Sequence, residues 1–213
     1  MILLGAGGHA KVVAEALIQS GKTILGLVAP DKKKGSKYFG LDVLGNDDEL
    51  FSYSPREVVL ANGIGALPGK VFRWKLASQM REKGFQFTRV IHPSAIIADN
   101  VVIGEGVQIM AGVIIQTGAS IGQGSIVNTG ASIDHDCSIG QNCHLAPGVV
   151  LSGCVDIGSG THVGTGSVIV QGISIGTDSI VAAGSVVYKN IVSNTTLIQK
   201  KKFFKMKTRY QNE

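Results

Sequence analysis

The chain of 213 residues has few of the features that mark a secreted or membrane protein. Its three cysteines, Cys137, Cys143 and Cys154, are an odd number without a C-x-x-C pair, which argues against a disulfide scaffold and a zinc ribbon. The sequence has no signal-peptide pattern and no run of about 18 apolar residues. We therefore expect a soluble cytoplasmic protein with reduced thiols and no membrane span.

The net charge of the chain is confined to one short segment. The formal net charge is +5, and residues 200–213 alone hold six basic residues and one acidic residue, so the rest of the chain is neutral. A nucleic-acid surface needs a broad basic stripe, so we do not expect a nucleic-acid partner. The basic tail, taken as residues 192–213, fits a frayed end, a contact for coenzyme A phosphates or weak contact with an anionic membrane surface.

Proline is scarce at five residues, whereas glycine is abundant at 29, which indicates a regular architecture rather than a linker. From Ile97 to Val187 every sixth residue is Ile, Leu or Val, and the fifth residue of each hexad is mostly small or β-branched. This period predicts a parallel β-helix with three hexads in each coil and about five coils. Cys137 and Cys143 occupy the small position, so we expect them to pack inside.

The N-terminal third follows a different pattern. Strands are predicted at residues 2–4, 24–28 and 58–61, and helices at about 11–20 and 73–83. Alternating strands and helices predict a small parallel, Rossmann-like α/β domain. We place this domain at residues 1–92 and the β-helix at residues 93–191.

A glycine-rich turn follows the first predicted strand. Residues 5–10 read Gly-Ala-Gly-Gly-His-Ala, so the N–H groups of Gly7 and Gly8 at a helix N-terminus are placed to hold phosphate. The domain is too short for a dinucleotide fold, which favours a single nucleotide or a nucleotide-sugar over NAD. A tight turn that binds nothing is the alternative. Asp31, after the second strand, is placed to reach a ribose or base, or is an ordinary loop acid.

The densest cluster of reactive side chains is Asp134-His135-Asp136, followed by His144. A histidine flanked by carboxylates is held in one tautomer and made more basic, as a general base requires, whereas the alternative is a solvated polar corner. We expect His135 and His144 to lie in one outer corner region. His144 and His162 are stacked by their 18-residue spacing, but no His-x-x-x-x-His pair occurs, so we expect no catalytic metal.

Two motifs together carry a family resemblance. The Gly-x-Gly-Gly-His turn, followed by a hexapeptide repeat containing Asn-Thr-x-x-x-Ile-Asp-His-Asp-Cys from Asn128, resembles the hexapeptide-repeat sugar acyltransferases. This family is typified by the bacillosamine and perosamine N-acetyltransferases and by sialic acid O-acetyltransferase. The resemblance implies a left-handed β-helix and a homotrimer. It also implies acetyl-CoA in the groove between adjacent prisms and a nucleotide-linked amino sugar held by the N-terminal domain.

The resemblance also implies roles for individual residues. His135 is similar to the family's general base, Asp136 to its partner, and His144 to a histidine near the acetyl group. The Gly153 N–H would contact the thioester oxygen, and Ala183 would line the coenzyme groove. The expected substrate contacts are Gly7, Gly8, His9, Asp31 and Asn128. The chain departs from the family near its end, where Leu-Ile-Gln-Lys-Lys at residues 197–201 replaces the usual Gly-x-Pro-Ala-Lys segment.

These observations favour one function and leave two others open. The leading hypothesis is acetyl-CoA-dependent acetylation of the amino group of a UDP- or GDP-linked 4-amino-4,6-dideoxy sugar for surface glycan synthesis. The same base would also serve O-acetylation of sialic acid or a related nonulosonic acid. A non-catalytic trimeric scaffold is the third possibility, because a stable prism needs no active site.

Overall fold

The computed structural model describes residues 1–199, so the basic tail from residue 200 onward lies outside the described residues. The first part of the chain is a three-layer α/β unit. Its strands are β1 (Ile2–Leu4), β2 (Gly26–Val28), β3 (Lys37–Tyr38), β4 (Leu41–Gly45) and β5 (Leu60–Asn62). Its helices are α1 (Gly8–Gln19), α2 (Asp47–Leu50) and α3 (Phe72–Glu82).

The sheet of this unit has the strand order β3-β4-β2-β1-β5. All neighbours are parallel except β3 and β4, which form an antiparallel hairpin at the edge. The predicted parallel α/β domain is confirmed. The hairpin and α2 were not predicted, and they extend the sheet from three strands to five.

Both faces of the short central strands are buried. Leu3 and Leu27 pack with the apolar side of α1, whereas Ile2, Leu4 and Leu60 pack with α3 on the opposite face. Complete burial of one such side chain contributes about 1.5 to 3 kcal/mol. This arrangement fixes the turn between β1 and α1 at the carboxyl edge of the sheet.

The second part of the chain is a left-handed parallel β-helix with three flat faces, as expected. The first face contains β6 (Val90–Ile91), β9 (Gln108–Ile109), β12 (Ile126–Val127), β15 (His144–Leu145), β18 (His162–Val163), β21 (Ile180–Val181) and β23 (Thr196–Leu197). The second contains β7 (Ile96–Ile97), β10 (Ile114–Ile115), β13 (Ser132–Ile133), β16 (Val150–Leu151), β19 (Val168–Ile169) and β22 (Val186–Val187). The third contains β8 (Val102–Ile103), β11 (Ser120–Ile121), β14 (Ser138–Ile139), β17 (Asp156–Ile157) and β20 (Ser174–Ile175).

The hexad residues form the interior of this prism. Every aliphatic hexad position from Ile109 to Val187 is buried, and Ile97 and Ile103 pack against that core. Residues 18 apart pair in register, as in the ladder of Ile126, His144 and His162. Cys137 and Cys143 are buried in the core, as predicted.

The prism is taller than the five coils expected from the hexads, because β6 and β23 extend the first face beyond the repeat. At the C-terminal end the spacing changes. Ile191 pairs with Ile175 and Leu197 with Val181, which is a separation of 16 residues rather than 18. The last coil is therefore two residues shorter than the others, and Gln199 closes it by bonding to both backbone groups of Val186.

Polar contacts fix the α/β unit against the prism. The buried side chain of Gln108 donates to the Asn62 carbonyl at 2.6 Å, and its Oε1 lies 2.7 Å from His9 Nε2. Glu105 accepts from the Phe87 N–H at 2.8 Å and pairs with Arg81. These bonds hold the glycine-rich turn at a fixed position above the first face.

No helix within residues 1–199 is both long enough and apolar enough to cross a membrane.

Candidate active site

The corner between the second and third faces, here called the second corner, holds the His135 cluster. His135 lies between β13 and β14, where Asp134 Oδ1 accepts from the His135 backbone N–H at 2.7 Å. Asp136 Oδ2 lies 2.9 Å from His135 Nδ1. A carboxylate accepts but does not donate, so Nδ1 carries the proton and Nε2 presents its lone pair.

The electrostatics of this cluster suit a base. The hydrogen bond to Asp136 is the largest influence, and with the charges of Asp134 and Asp136 it raises the pKa of His135 above its ordinary value. The imidazole is well exposed, with 44% of its side-chain surface accessible. Asp136 has a φ of 58°, a left-handed corner conformation that aspartate tolerates better than most residues.

Gly153 lies directly above His135 at the same corner, one coil higher. A Cβ at Gly153 would lie 2.5 Å from His135 Nε2, so only glycine leaves room for the ring in this position. The Cys154 N–H donates to the His135 carbonyl at 2.9 Å, which joins the two coils. Gly153 is buried against the His135 ring, and within residues 1–199 its N–H has no hydrogen-bond acceptor.

His144 lies elsewhere, on the first face. The side chains of His135 and His144 therefore do not share a corner region, and that expectation is wrong. Nine residues are one and a half hexads, so the chain passes through the third face and another corner before it reaches His144. Within one chain the two histidines cannot act on the same atom.

The two ring nitrogens of His144 are both occupied. Nδ1 lies 3.1 Å from the Ala66 carbonyl and therefore donates to it, which leaves Nε2 to accept from Asn128 Nδ2 at 3.2 Å. Burial lowers the pKa of His144 to about 3, and nearby His162 acts in the same direction, so the ring is neutral. Asn128 in turn accepts from the Thr129 N–H at 2.8 Å. Asn128 and His144 thus form one fixed hydrogen-bonded unit.

The glycine-rich turn opens α1 without a side-chain cap. Gly7 is the N-cap residue, and both Gly7 and Gly8 are exposed, with nothing within 4 Å of the position of a Cβ. The first N–H groups of α1 are therefore available to an anion, as a phosphate site requires. Asp31 lies beyond β2 and is exposed, where it pairs with Lys32 at 2.9 Å.

His9 is the least accessible of the predicted nucleotide contacts. Its Nε2 bonds to Gln108, and burial lowers its pKa to about 4, so the ring is neutral. Only Nδ1 remains for a ligand. His9 thus connects the glycine-rich turn to the first face of the prism.

Arg73 is a buried cation next to this junction. Its side chain is 1% exposed, and Nη1 donates to the carbonyls of Asn62 and Ile64. Burial lowers the pKa of Arg73 to about 9, which still leaves it protonated at neutral pH. Its charge contributes to the lowered pKa of both His9 and His144, so it helps keep these histidines neutral.

The structure also reveals a pocket that the sequence did not predict. A cavity of about 390 Å³ lies between the loop after β5 and the first face, and its lining includes Lys70, Trp74, His144, His162 and Asp178. The His144 and His162 rings meet edge to face, with centroids 4.9 Å apart. The 18-residue spacing predicts that histidine pair. Lys70 and Trp74 have no comparable signal, because hexad periodicity says nothing about how the loop docks.

Ala183 and Asn128 lie at another corner, between the first and second faces, here called the first corner. Asn128 follows β12, and Ala183 follows β21 three coils above it. Ala183 is exposed there. The predicted site residues at the prism corners thus fall on two separate edges: His135, Asp136 and Gly153 on one, and Asn128 and Ala183 on the other.

Known proteins share this architecture over nearly the whole chain. Family models match the PglD N-terminal domain at residues 1–80, the bacterial transferase hexapeptide at 118–153 and the hexapeptide repeat of succinyl-transferase at 154–189. A mutant of perosamine N-acetyltransferase from Caulobacter crescentus, solved with CoA and GDP-perosamine, is 37% identical with a TM-score of 0.85. That alignment covers 92% of this chain and 91% of the other. The chain belongs to the hexapeptide-repeat sugar acyltransferase family.

Two further relatives support this membership. The acetyltransferase domain of PglB from Neisseria gonorrhoeae, in complex with acetyl coenzyme A, is 33% identical with a TM-score of 0.83, over 92% of this chain and 93% of that one. UDP-N-acetylbacillosamine N-acetyltransferase from Bacillus subtilis is 40% identical over 112 residues, which is 51% of this chain and 50% of that enzyme. The match therefore spans about half the length of this curated relative. The resemblance inferred from the sequence motifs is confirmed at the level of the sugar acyltransferase family.

Proposed function

We propose that this sugar acyltransferase moves the acetyl group of acetyl-CoA to the amino group of a nucleotide-linked amino sugar, of the UDP- or GDP-4-amino-4,6-dideoxy type. The observation that carries the proposal is the exposed His135, oriented by Asp136 and packed against Gly153. A relative with matching architecture binds CoA and GDP-perosamine together. We place the reaction in the cytoplasm, in the synthesis of surface glycans.

These residues need only remove a proton and stabilise an oxyanion, because a thioester is already activated toward attack. As the sugar amine attacks the thioester carbonyl, His135 Nε2 takes its proton and Asp136 stabilises the resulting imidazolium. The Gly153 N–H donates to the oxyanion of the tetrahedral intermediate. The C–S bond then breaks, the CoA thiolate leaves, and the imidazolium supplies the proton that yields the free thiol. No acyl-enzyme forms.

A trimer accounts for the division of the site residues between two edges. We propose a homotrimer in which the second corner of one prism faces the first corner of its neighbour. His135 and Gly153 of one subunit would then share a groove with Ala183 of the next, and acetyl-CoA would lie in that groove. A single prism cannot bring these two corners together, because they lie at opposite edges of the second face.

The α/β unit supplies the features expected of a nucleotide site. Gly7 and Gly8 present uncapped N–H groups to a phosphate, and Asp31 extends from the carboxyl edge of the same sheet. The neutral, fixed pair of Asn128 and His144 lies on the prism below the α/β unit, where it can orient a sugar by hydrogen bonding. We propose that His144 positions the acetyl group or the sugar and does not transfer protons, since both its nitrogens are engaged.

A panel of acceptors tests the proposal. We expect CoA thiol release from acetyl-CoA with UDP- or GDP-linked 4-amino sugars, and a rate at least about tenfold lower with the matched 4-hydroxy sugars, because an amine is the better nucleophile. Free and CMP-linked sialic acids are the second arm of the panel. Release only with sialic acids would instead establish O-acetylation, and failure to bind acetyl-CoA by calorimetry would favour a scaffold.

A further inference from the structure

Cys154 is a residue that the proposed mechanism does not use. It is exposed at the second corner, with a φ of 58°. The other non-glycine residues with left-handed backbone in the described prism are all Asp or Asn: Asp136, Asn142, Asp178 and Asn194. Those side chains suit that backbone, whereas cysteine has no such advantage. Because the thiol is exposed, core packing does not account for it either.

The thiol completes a set of three donors. A ring nitrogen of His135, a carboxylate oxygen of Asp136 and the Cys154 sulfur all lie within 4.8 Å of one another. His135 Nδ1 and Asp136 Oδ2 are 2.9 Å apart. Two ligands of one tetrahedral zinc ion, with bonds of about 2.0 to 2.3 Å, lie roughly 3.3 to 3.8 Å apart. Side-chain rotation, chiefly of the exposed Asp136 and Cys154, would close the remaining gap.

We propose that His135, Asp136 and Cys154 form a zinc site that switches the enzyme off. Imidazole and thiolate favour zinc over magnesium or calcium, and solvent would supply the fourth ligand. Binding deprotonates the Cys154 thiol and releases that proton to solvent. The inhibitory consequence rests on the proposed role of His135, whereas the metal site itself does not.

Zinc would inhibit acetyl transfer because it takes the imidazole lone pair that the general base needs. A neutral ring has one nitrogen with a lone pair and one that carries a proton. Whichever nitrogen of His135 binds zinc, the other one is protonated, so no lone pair remains for the sugar amine. Zinc also engages the Asp136 carboxylate that would stabilise the imidazolium. This metal is therefore an inhibitor and not a cofactor.

Cobalt substitution tests the metal site without relying on activity. We expect Co²⁺ titration of the full chain to produce a thiolate-to-cobalt charge-transfer band in the near ultraviolet, and the Cys154→Ser variant to lack it. Cys137→Ala is the matched control and should keep the band, because Ala119 and Ala131 occupy the equivalent buried position in other coils. A wild-type protein without the band, or a Cys154→Ser variant that retains it, overturns the inference.

Inhibition is measured in the same samples. Micromolar Zn²⁺ should abolish acetyl transfer by the wild type, a chelator should restore it, and Cys154→Ser should need at least about tenfold more Zn²⁺ for the same loss. Equal zinc sensitivity of the two proteins also overturns the inference. A cobalt band in a protein without transferase activity would support the metal site and refute the proposed function. Failure of the metal site and failure of the proposed function are therefore distinguishable.

Discussion

Replacement of His135 by alanine is expected to lower kcat for acetyl transfer by about 10² to 10⁴-fold, the usual contribution of a positioned general base. The KM for acetyl-CoA should change little, because the imidazole acts on the amine and does not hold the coenzyme. Initial rates of thiol release at saturating sugar give both constants. His92→Ala is the matched control, since within residues 1–199 the His92 side chain bonds only to Ser94, near the start of the prism.

The pH dependence of the wild type adds a second readout for the same residue. Protonation of His135 removes the lone pair on Nε2, so kcat/KM should fall toward acid pH. Because Asp136 raises the pKa of His135, that fall should begin at a higher pH than for an ordinary histidine. A His135→Ala variant that retained either the wild-type rate or the wild-type acid limb would refute the assignment of the base.

Replacement of Gly153 by alanine is the second large effect that we expect. The new methyl group would lie 2.5 Å from His135 Nε2, so the ring must rotate away from its position against the corner. A displacement of about 1 Å at a reacting group costs roughly 10²-fold in rate. We therefore expect kcat for thiol release to fall by about 10²-fold.

Stability measurements separate this steric effect from unfolding. Gly153 does not have a left-handed backbone and its Cβ would meet only a side chain, so the thermal midpoint should barely move. Gly112→Ala provides the contrast, because Gly112 has a φ of 68° but no close neighbour. That variant should lose about 1 kcal/mol of stability and keep its kcat. The reverse pattern would rule out the proposed contact between Gly153 and His135.

The prism was predictable because its core residues recur at a fixed short interval in the sequence. Each hexad residue, such as Ile133, packs on residues 18 positions away, and the six-residue spacing is unbroken from Ile97 to Val187. The hairpin of Lys37–Tyr38 and Leu41–Gly45 was missed, since a two-residue edge strand carries almost no periodic signal. The shortened last coil was missed for a similar reason, as its spacing of 16 residues breaks the period.

The candidate site was predictable only where its contacts join residues that are close together in the sequence. His135 and Asp136 are neighbours, and their hydrogen bond follows from adjacency at a corner. The bonds that define His9 and His144 cross 99 and 78 residues, and they depend on how the α/β unit docks on the first face. No local pattern encodes that docking, so the pocket beside His144 remained hidden in the sequence.

The measurement that tests the account most directly is the initial rate of thiol release over a matrix of acetyl-CoA and nucleotide amino sugar concentrations. Direct transfer assisted by His135 requires both substrates to be bound together, so double-reciprocal plots should intersect and release should need the sugar. Parallel lines would indicate an acyl-enzyme intermediate. Either parallel lines or release at an equal rate without the sugar would contradict the proposed mechanism.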